Sequence, residues 1–211
     1  MVWNESIRVS LTISGALRIG FGRAGLEVDL PVVRENLSNG GSTFYSSNMP
    51  SSFRGSLRES VRRMINSTRL SSKASLEESL FGTWVTEAEA RPMEGKLHVK
   101  LLPSNEPIRT TSRTGVEIDD VFGSVEQKKL FTYEVMEGGG DEVTLRFELT
   151  CLFPLSDEEA AVLLAGLNGL VYESIGGFAS RGMGLIERVE VDGKFRDYAY
   201  PHLTKILSQE G

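Results

Sequence analysis

Residues 6–14 alternate without a break: Ile7, Val9, Leu11 and Ile13 point one way and polar side chains the other. That pattern predicts a half-buried strand. The same period of two recurs over 95–102 through Leu97, Val99 and Leu101, over 143–151 through Val143, Leu145, Phe147, Leu149 and Cys151, and over 185–191. Two other stretches keep a helical period. Phe53, Leu57, Val61 and Ile65 recur every four residues and predict a helix over about 52–65, with Ser51 or Ser52 as its cap and Ser56 with Glu59 as a competing capping box. Ser156 with Glu159 opens a second helix over 156–173, whose Leu163, Leu164, Leu167, Leu170 and Val171 form an apolar face. A short helix over 75–82 closes on Gly82. The tail, 194–211, suggests a strand and a last short helix behind Pro201.

The order is β-α-β-β-α-β with two long insertions, which is the split βαβ pattern of an α+β, ferredoxin-like (RRM-like) core. The core segments are about 5–19, 51–102 and 142–193, in one domain spanning 1–211. The first insertion, about 20–50, is Gly- and Ser-rich and too long for a passive link. The second, 103–141, is an arm rich in Arg, Thr, Ser and charge, broken by Gly115, Gly123 and Gly138–Gly140. Two helices on one sheet face would leave the other face for a ligand, as single-strand RNA binders do.

Charge changes this picture. The net charge is −6, yet residues 1–75 hold 10 Lys/Arg against 5 Asp/Glu, and the remainder 13 against 24. One basic face for a polyanion on an otherwise acidic chain fits that asymmetry, as does an ordinary charged surface. No run of 18 apolar residues predicts a membrane span, and the N-terminus lacks the basic start and apolar stretch of a secretory signal. The lone Cys151 allows no disulfide framework, so a reducing cytoplasm is expected.

Two stretches carry candidate chemistry. Between the second long helix and the last strand lies Ile175-Gly176-Gly177-Phe178-Ala179-Ser180-Arg181-Gly182-Met183-Gly184. Glycines allow positive φ and close backbone approach at a high entropic cost, and such turns present N–H groups to anions. Ser180 and Arg181 would add a hydroxyl and a planar cation. A plain helix-to-strand turn explains the loop equally well. The first long helix begins Ser51-Ser52-Phe53-Arg54-Gly55-Ser56-Leu57-Arg58, with Arg54, Arg58 and Arg62 on one stripe beside Arg63. That stripe is also what a solvated helix face looks like. Asp29 stands in apolar surroundings, between Val28 and Leu30-Pro31, where an acid can hold a divalent metal or cap its own turn. His98 and His202 have no His or Cys at ligand spacing, so a zinc site is not expected. No Walker, dinucleotide or Gly-x-Ser-x-Gly pattern occurs.

SSFRGSLR followed far downstream by GGFASRGMGLIERVEV resembles the RAMP superfamily of CRISPR-associated proteins, whose signature is a glycine-rich loop after the second helix. Between them, Leu80-Phe81-Gly82, Gly95-Lys96-Leu97, Arg113-Thr114-Gly115-Val116-Glu117-Ile118-Asp119 and Leu130-Phe131-Thr132-Tyr133-Glu134 occur in the order such proteins show. The short single-domain form resembles the backbone subunit of type III effector complexes. There, an aspartate before Pro-Val-(Val/Ile)-Arg cuts target RNA with a metal, and Asp29-Leu30-Pro31-Val32-Val33-Arg34 matches that pattern. One departure is Met49-Pro50-Ser51-Ser52, where the family usually reads Pro-Gly-Ser-Ser.

The resemblance implies Asp29 as the catalytic and metal-binding residue, with Mg²⁺ or another divalent cation as cofactor. It implies guide CRISPR RNA and target RNA as partners, along with further copies of the chain and other subunits of the complex, and no membrane. Ser51, Ser52, Arg54, Arg58, Gly176, Gly177, Ser180, Arg181 and Arg113 would contact RNA, and the 103–141 arm would act as a thumb carrying Val116, Ile118, Val121 and Phe122. Phosphate contacts at a helix N-terminus fix register without reading bases, which suits a scaffold for arbitrary guides. The alternative within the family is a non-catalytic RNA scaffold in which Asp29 is a turn residue. A guide-processing nuclease would want a histidine near the first helix, where neither His98 nor His202 lies.

Overall fold

The structure is a computed structural model that describes residues 2–19, 48–68, 73–83, 92–103, 108–118, 125–138, 140 and 142–208. In chain order its elements are β1 (Ile7–Ser14), α1 (Met49–Ser67), α2 (Lys73–Phe81), β2 (Leu97–Leu102), β3 (Arg109–Ile118), β4 (Val125–Glu137), β5 (Glu142–Cys151), α3 (Asp157–Gly169), β6 (Leu185–Val191) and α4 (Gly193–Ser208). Short 3₁₀ turns lie at Leu170–Tyr172 and Ala179–Arg181. The described residues thus form an α+β arrangement of helices and antiparallel sheets.

The larger sheet has the order β2-β5-β1-β6 with all neighbours antiparallel. Register follows the alternation: Ile7 faces Leu149, Val9 faces Phe147 and Leu11 faces Leu145, so every apolar side chain lands on one face. On that face lie α1 and α3, which contribute Phe53, Leu57, Val61, Leu163 and Leu167 to the core. Where the two helices cross, Gly166 allows close approach. A Cβ there would run into Val61, and the Ser60 hydroxyl donates to the Gly166 carbonyl at 2.7 Å. The opposite face carries Arg8, Ser10, His98, Lys100, Arg146 and Glu148.

The capping box of α3 forms as the sequence predicts and does more than cap. Glu159, 4 % exposed, accepts from the Ser156 N–H at 2.7 Å, from Lys96 Nζ and from the Ser79 hydroxyl, tying α3 to the start of β2 and to α2. Burial pushes its carboxyl up, but the bonds from Lys96, Ser79 and Ser156 outweigh that and hold it below the ordinary range. A depressed carboxyl contributes stability that is present above the unfolded value near 4.3 and lost as pH falls through the folded one. Wild-type urea midpoints should therefore be flat from pH 7 to about 5.5 and fall steadily below about 4.5. Glu159→Gln should cost about 2 kcal/mol at pH 7 and show a shallower acid limb. Parallel acid limbs in the two proteins would contradict this role.

Three expectations are corrected. The first long helix starts at Met49 rather than Ser52, and Asn48 is its N-cap with no side-chain cap bond, so Ser51 and Ser52 lie inside the first turn. Pro50 suits that turn because its missing N–H is not needed there, and Met49 is fully buried. The tail is one helix, α4, with Pro201 in its interior and no strand. Phe195, Tyr198, Ala199 and Leu203 keep a helical stripe against the core, and Trp3 packs edge-on to Phe195 at 5.3 Å. This burial offsets the roughly 3 kcal/mol that an interior proline costs. Lastly, the 103–141 arm contains the antiparallel pair β3–β4, which was not anticipated as strands.

Candidate nucleic-acid interface

The chain leaving β1 and the glycine-rich loop are zipped together by their backbones. The Gly177 N–H donates to the Arg18 carbonyl at 2.7 Å and the Gly184 N–H to the Ala16 carbonyl at 3.0 Å, while the Ile175 N–H donates to Gly184 at 2.8 Å. Gly176 (φ 87°) and Gly184 (φ 68°) are left-handed, and a Cβ would collide with the Arg18 and Ile175 carbonyl oxygens respectively. Six of the loop N–H groups, those of Ile175, Gly177, Arg181, Gly182, Met183 and Gly184, are thus committed to backbone carbonyls. Ser180 and Arg181 sit in the 3₁₀ turn beyond them, both exposed.

Phe178 organises the outer side of the loop. It is a non-glycine residue in the left-handed region, φ 65°, where a bulky side chain is strained. The guanidinium carbons of Arg18 and Arg181 lie 4.8 and 4.7 Å from its ring centroid, and Tyr133 meets it edge-on at 5.0 Å. Tyr133 and Val135 of β4 are buried with Ala16 and Met183, with Phe131 and Phe178 at the border. Phe131 covers Gly115, where any side chain would strike its ring, and Arg181 lies 5.7 Å from the same ring. The Leu17–Met136 backbone bridge adds to this, so the β3–β4 hairpin is fixed to both the loop and the exit of β1. Arg113, further along β3, pairs with Glu137 at 2.6 Å. Arg113 and then Thr111 hold the Glu137 carboxyl below its ordinary range.

The first turns of α1 look into two clefts. Ser52 and Ser56 line one of about 380 Å³, together with Arg18, Ser174, Gly176 and Gly177. The Ser56 hydroxyl donates to the Ser174 carbonyl at 3.1 Å. Ser51 and Arg54 line the other, of about 310 Å³, with His98, Glu94 and Leu152. The arginine stripe also has structural work. Arg54 donates to the Phe81 carbonyl at 2.6 Å, and Arg58 to Glu77 at 2.6 Å and to the Gly82 carbonyl at 3.3 Å. These bonds clamp the C-terminal end of α2, where free carbonyls attract cations. Arg62 shares Glu77 at 2.8 Å, and Arg62 first, then Arg58, draws that carboxyl below its ordinary range against the cost of burial.

The structure thus brings Ser52, Gly176 and Gly177 to one cleft, places Ser51 and Arg54 in its neighbour, and sets Ser180 and Arg181 on the loop's outer side. Arg58 faces α2 and Arg113 lies on the hairpin. Asp29 lies outside the described residues, as do Val121 and Phe122. Arg18 was missed by sequence reasoning. The signal was available, a cation among apolar residues in Ala16-Leu17-Arg18-Ile19, as for Asp29. Among the described residues no group of three His, Cys, Asp or Glu side chains could hold a metal, and no helix is long and apolar enough to cross a membrane.

A model of the RAMP superfamily matches residues 49–187. The match runs from the first residue of α1 into β6; it contains both the Ser51-Ser52 stretch and the glycine-rich loop, and begins after Asp29. No curated protein matches the chain. RAMP proteins generally work in CRISPR RNA–protein complexes. With both stretches inside a match to well over half of its 211 residues, the chain belongs to the RAMP superfamily of CRISPR-associated proteins.

Proposed function

We propose that this chain is the guide-RNA-binding backbone subunit of a type III CRISPR interference complex, and that Asp29 cuts the paired target RNA in a metal-dependent way. The observation that carries the reading is the shared cleft: Ser52 and Gly176–Gly177, from stretches far apart in sequence, line one polar groove with Arg18, which meets no carboxylate among the described residues. Such a groove suits a sugar–phosphate backbone, and contacts of that kind hold any guide sequence. The strand order β2-β5-β1-β6, with α1 and α3 on one face, supports a ferredoxin-like core. The β3–β4 hairpin supports a thumb-like arm. Copies stacked head to tail along the guide, beside other subunits, would use two different surfaces of each chain.

Mg²⁺ or another divalent cation at Asp29 would stabilise charge on the phosphodiester oxygens. A reducing cytoplasm suits such a complex, and Cys151, its thiol pushed up to about 11 by burial, is an unreactive half-buried side chain. The test uses the assembled complex, a guide and an end-labelled complementary RNA, with Mg²⁺, with chelator and with Asp29→Ala. Regularly spaced cuts are expected with Mg²⁺ only in the wild type. Target bound but uncut in all conditions would leave a non-catalytic scaffold, and absence of binding would remove the backbone-subunit assignment.

A further inference from the structure

We infer that Arg18 seats a phosphate group in the cleft between α1 and the glycine-rich loop, and is the central anion ligand of this chain. The inference rests on the RNA-binding reading of that cleft and adds the residue and the chemical group. Arg18 leaves β1 just after the fully buried Leu17. Among the described residues its buried Nε has no hydrogen-bond partner. No carboxylate among the described residues pairs with it, and Tyr133 is the group that acts on its charge. The contrast with its relatives on the same chain is plain: Arg58, Arg62, Arg63 and Arg113 each meet a glutamate. A half-buried guanidinium whose Nε is cut off from water and that meets no carboxylate among the described residues is unfavourable, and an anion is what relieves it.

The surroundings select the anion. The described residues lining the cleft include no acid, and Ser52, Ser56 and Ser174 lie along it, the Ser56 hydroxyl already donating to the Ser174 carbonyl. The guanidinium lies over the Phe178 ring, its central carbon 4.8 Å from the centroid. Gly177 leaves room for it, since a Cβ there would lie 3.1 Å from Nη1. A planar fork of N–H donors matches the two oxygens of a phosphate, and hydroxyls supply further donors. The volume of about 380 Å³ takes a phosphate with its flanking sugars. Strained Phe178 thus has a use: it holds the arginine in the orientation that the ligand needs.

Both an RNA backbone and free inorganic phosphate offer this group, so the test separates them. The full chain is titrated into fluorescein-labelled, unstructured single-stranded RNA of about 30 nucleotides at several NaCl concentrations, and log K is plotted against log salt. Arg18→Ala should weaken binding about tenfold and make the slope shallower by about 0.7, one phosphate contact on a single strand. Arg18→Lys should keep the slope but recover only part of the affinity, because the fork is lost. A second arm follows melting with inorganic phosphate against chloride at matched ionic strength. Phosphate stabilisation of the wild type that Arg18→Ala loses, with unchanged RNA slopes, would assign the site to free phosphate and overturn an RNA ligand.

Wild-type RNA binding with an undiminished slope in Arg18→Ala, and no phosphate effect, would overturn the inference and leave the proposed function standing. Absence of salt-dependent RNA binding by the wild type would instead count against that function, leaving the phosphate arm to decide Arg18. Should Arg18→Ala melt below the assay temperature, Ser52→Asp replaces it. An acid is favourable in the first turn of a helix and would give Arg18 an internal counter-charge. It should produce the same loss of slope, and a wild-type slope would overturn the inference.

Discussion

Phe53→Ala is expected to lower the unfolding free energy by about 4 kcal/mol. Phe53 is fully buried and its ring stacks on that of Phe147, with centroids 4.2 Å apart and planes within 7°. Phe147 is paired on both sides, with Val9 of β1 and Leu101 of β2, and is fixed at the middle of the sheet. The neighbours that would have to fill the space, Leu57, Leu11 and Leu145, are buried side chains on paired strands or on α1 itself. The cavity therefore stays open, and its cost adds to the lost transfer energy and to the ring pair's own roughly 1 kcal/mol. Urea unfolding should show a lower midpoint with an unchanged slope. A loss below about 1.5 kcal/mol would mean that α1 settles onto the sheet and that the stacked pair does not fix its position.

Gly184→Ala should cost about 3 kcal/mol, and Gly182→Ala only about 1 kcal/mol, although both glycines are left-handed, φ 68° and 75°. The backbone term, about 1–2 kcal/mol, is common to the two. They differ in surroundings. A Cβ at Gly182 meets nothing within 4 Å, whereas one at Gly184 meets the Ile175 carbonyl oxygen. Relieving that collision separates strands of backbone joined by the Ile175–Gly184 and Gly184–Ala16 bonds. For a chain of this size the melting temperatures should fall by roughly 6–12 °C and 2–4 °C. Equal shifts would show that φ alone matters at both positions and that close approach to the β1 exit contributes nothing.

Much of this fold is legible from period alone. The four strands of the larger sheet alternate because one face is covered and the other is not, and their ends in the structure fall within two residues of those expected. Helix α3 was announced by its capping box, which forms with both of its bonds. Where local signals competed with burial, they lost. Ser51 and Ser52 look like caps, but burying Met49 draws the helix start past them to Asn48. Pro201 looks like a boundary, but the Phe195–Leu203 stripe carries the helix through it. The β3–β4 hairpin was hidden because Arg, Thr, Ser and charged residues dominate its stretch and blur the alternation, although Tyr133 and Val135 are buried at its base.

The candidate interface divides in the same way. Stretches were recognisable; partners were not. Nothing local distinguishes Arg58, whose charge meets Glu77 on another helix, from Arg18, which meets no carboxylate among the described residues. Counter-ions arrive through tertiary structure, so these two arginines could be told apart only after the chain was folded. Likewise the glycines were read as a cradle for a ligand, while two loop N–H groups serve the β1 exit.

Strand β1 sits at the centre of the sheet, yet Ile7 pairs with Leu149 and Val9 with Val191. Both partners of β1 are therefore made well over a hundred residues after it. At usual synthesis rates β1 waits roughly 10 to 40 seconds for its second neighbour. Throughout that interval Ile7, Val9, Leu11 and Ile13 form an exposed apolar edge with unpaired backbone groups, which is a template for association between nascent chains. Closure of the sheet waits for the synthesis of β6, and such late, non-local pairing is intrinsically slow. Yield of the native protein in cells should thus depend on chaperone supply and growth temperature more than its final stability would suggest.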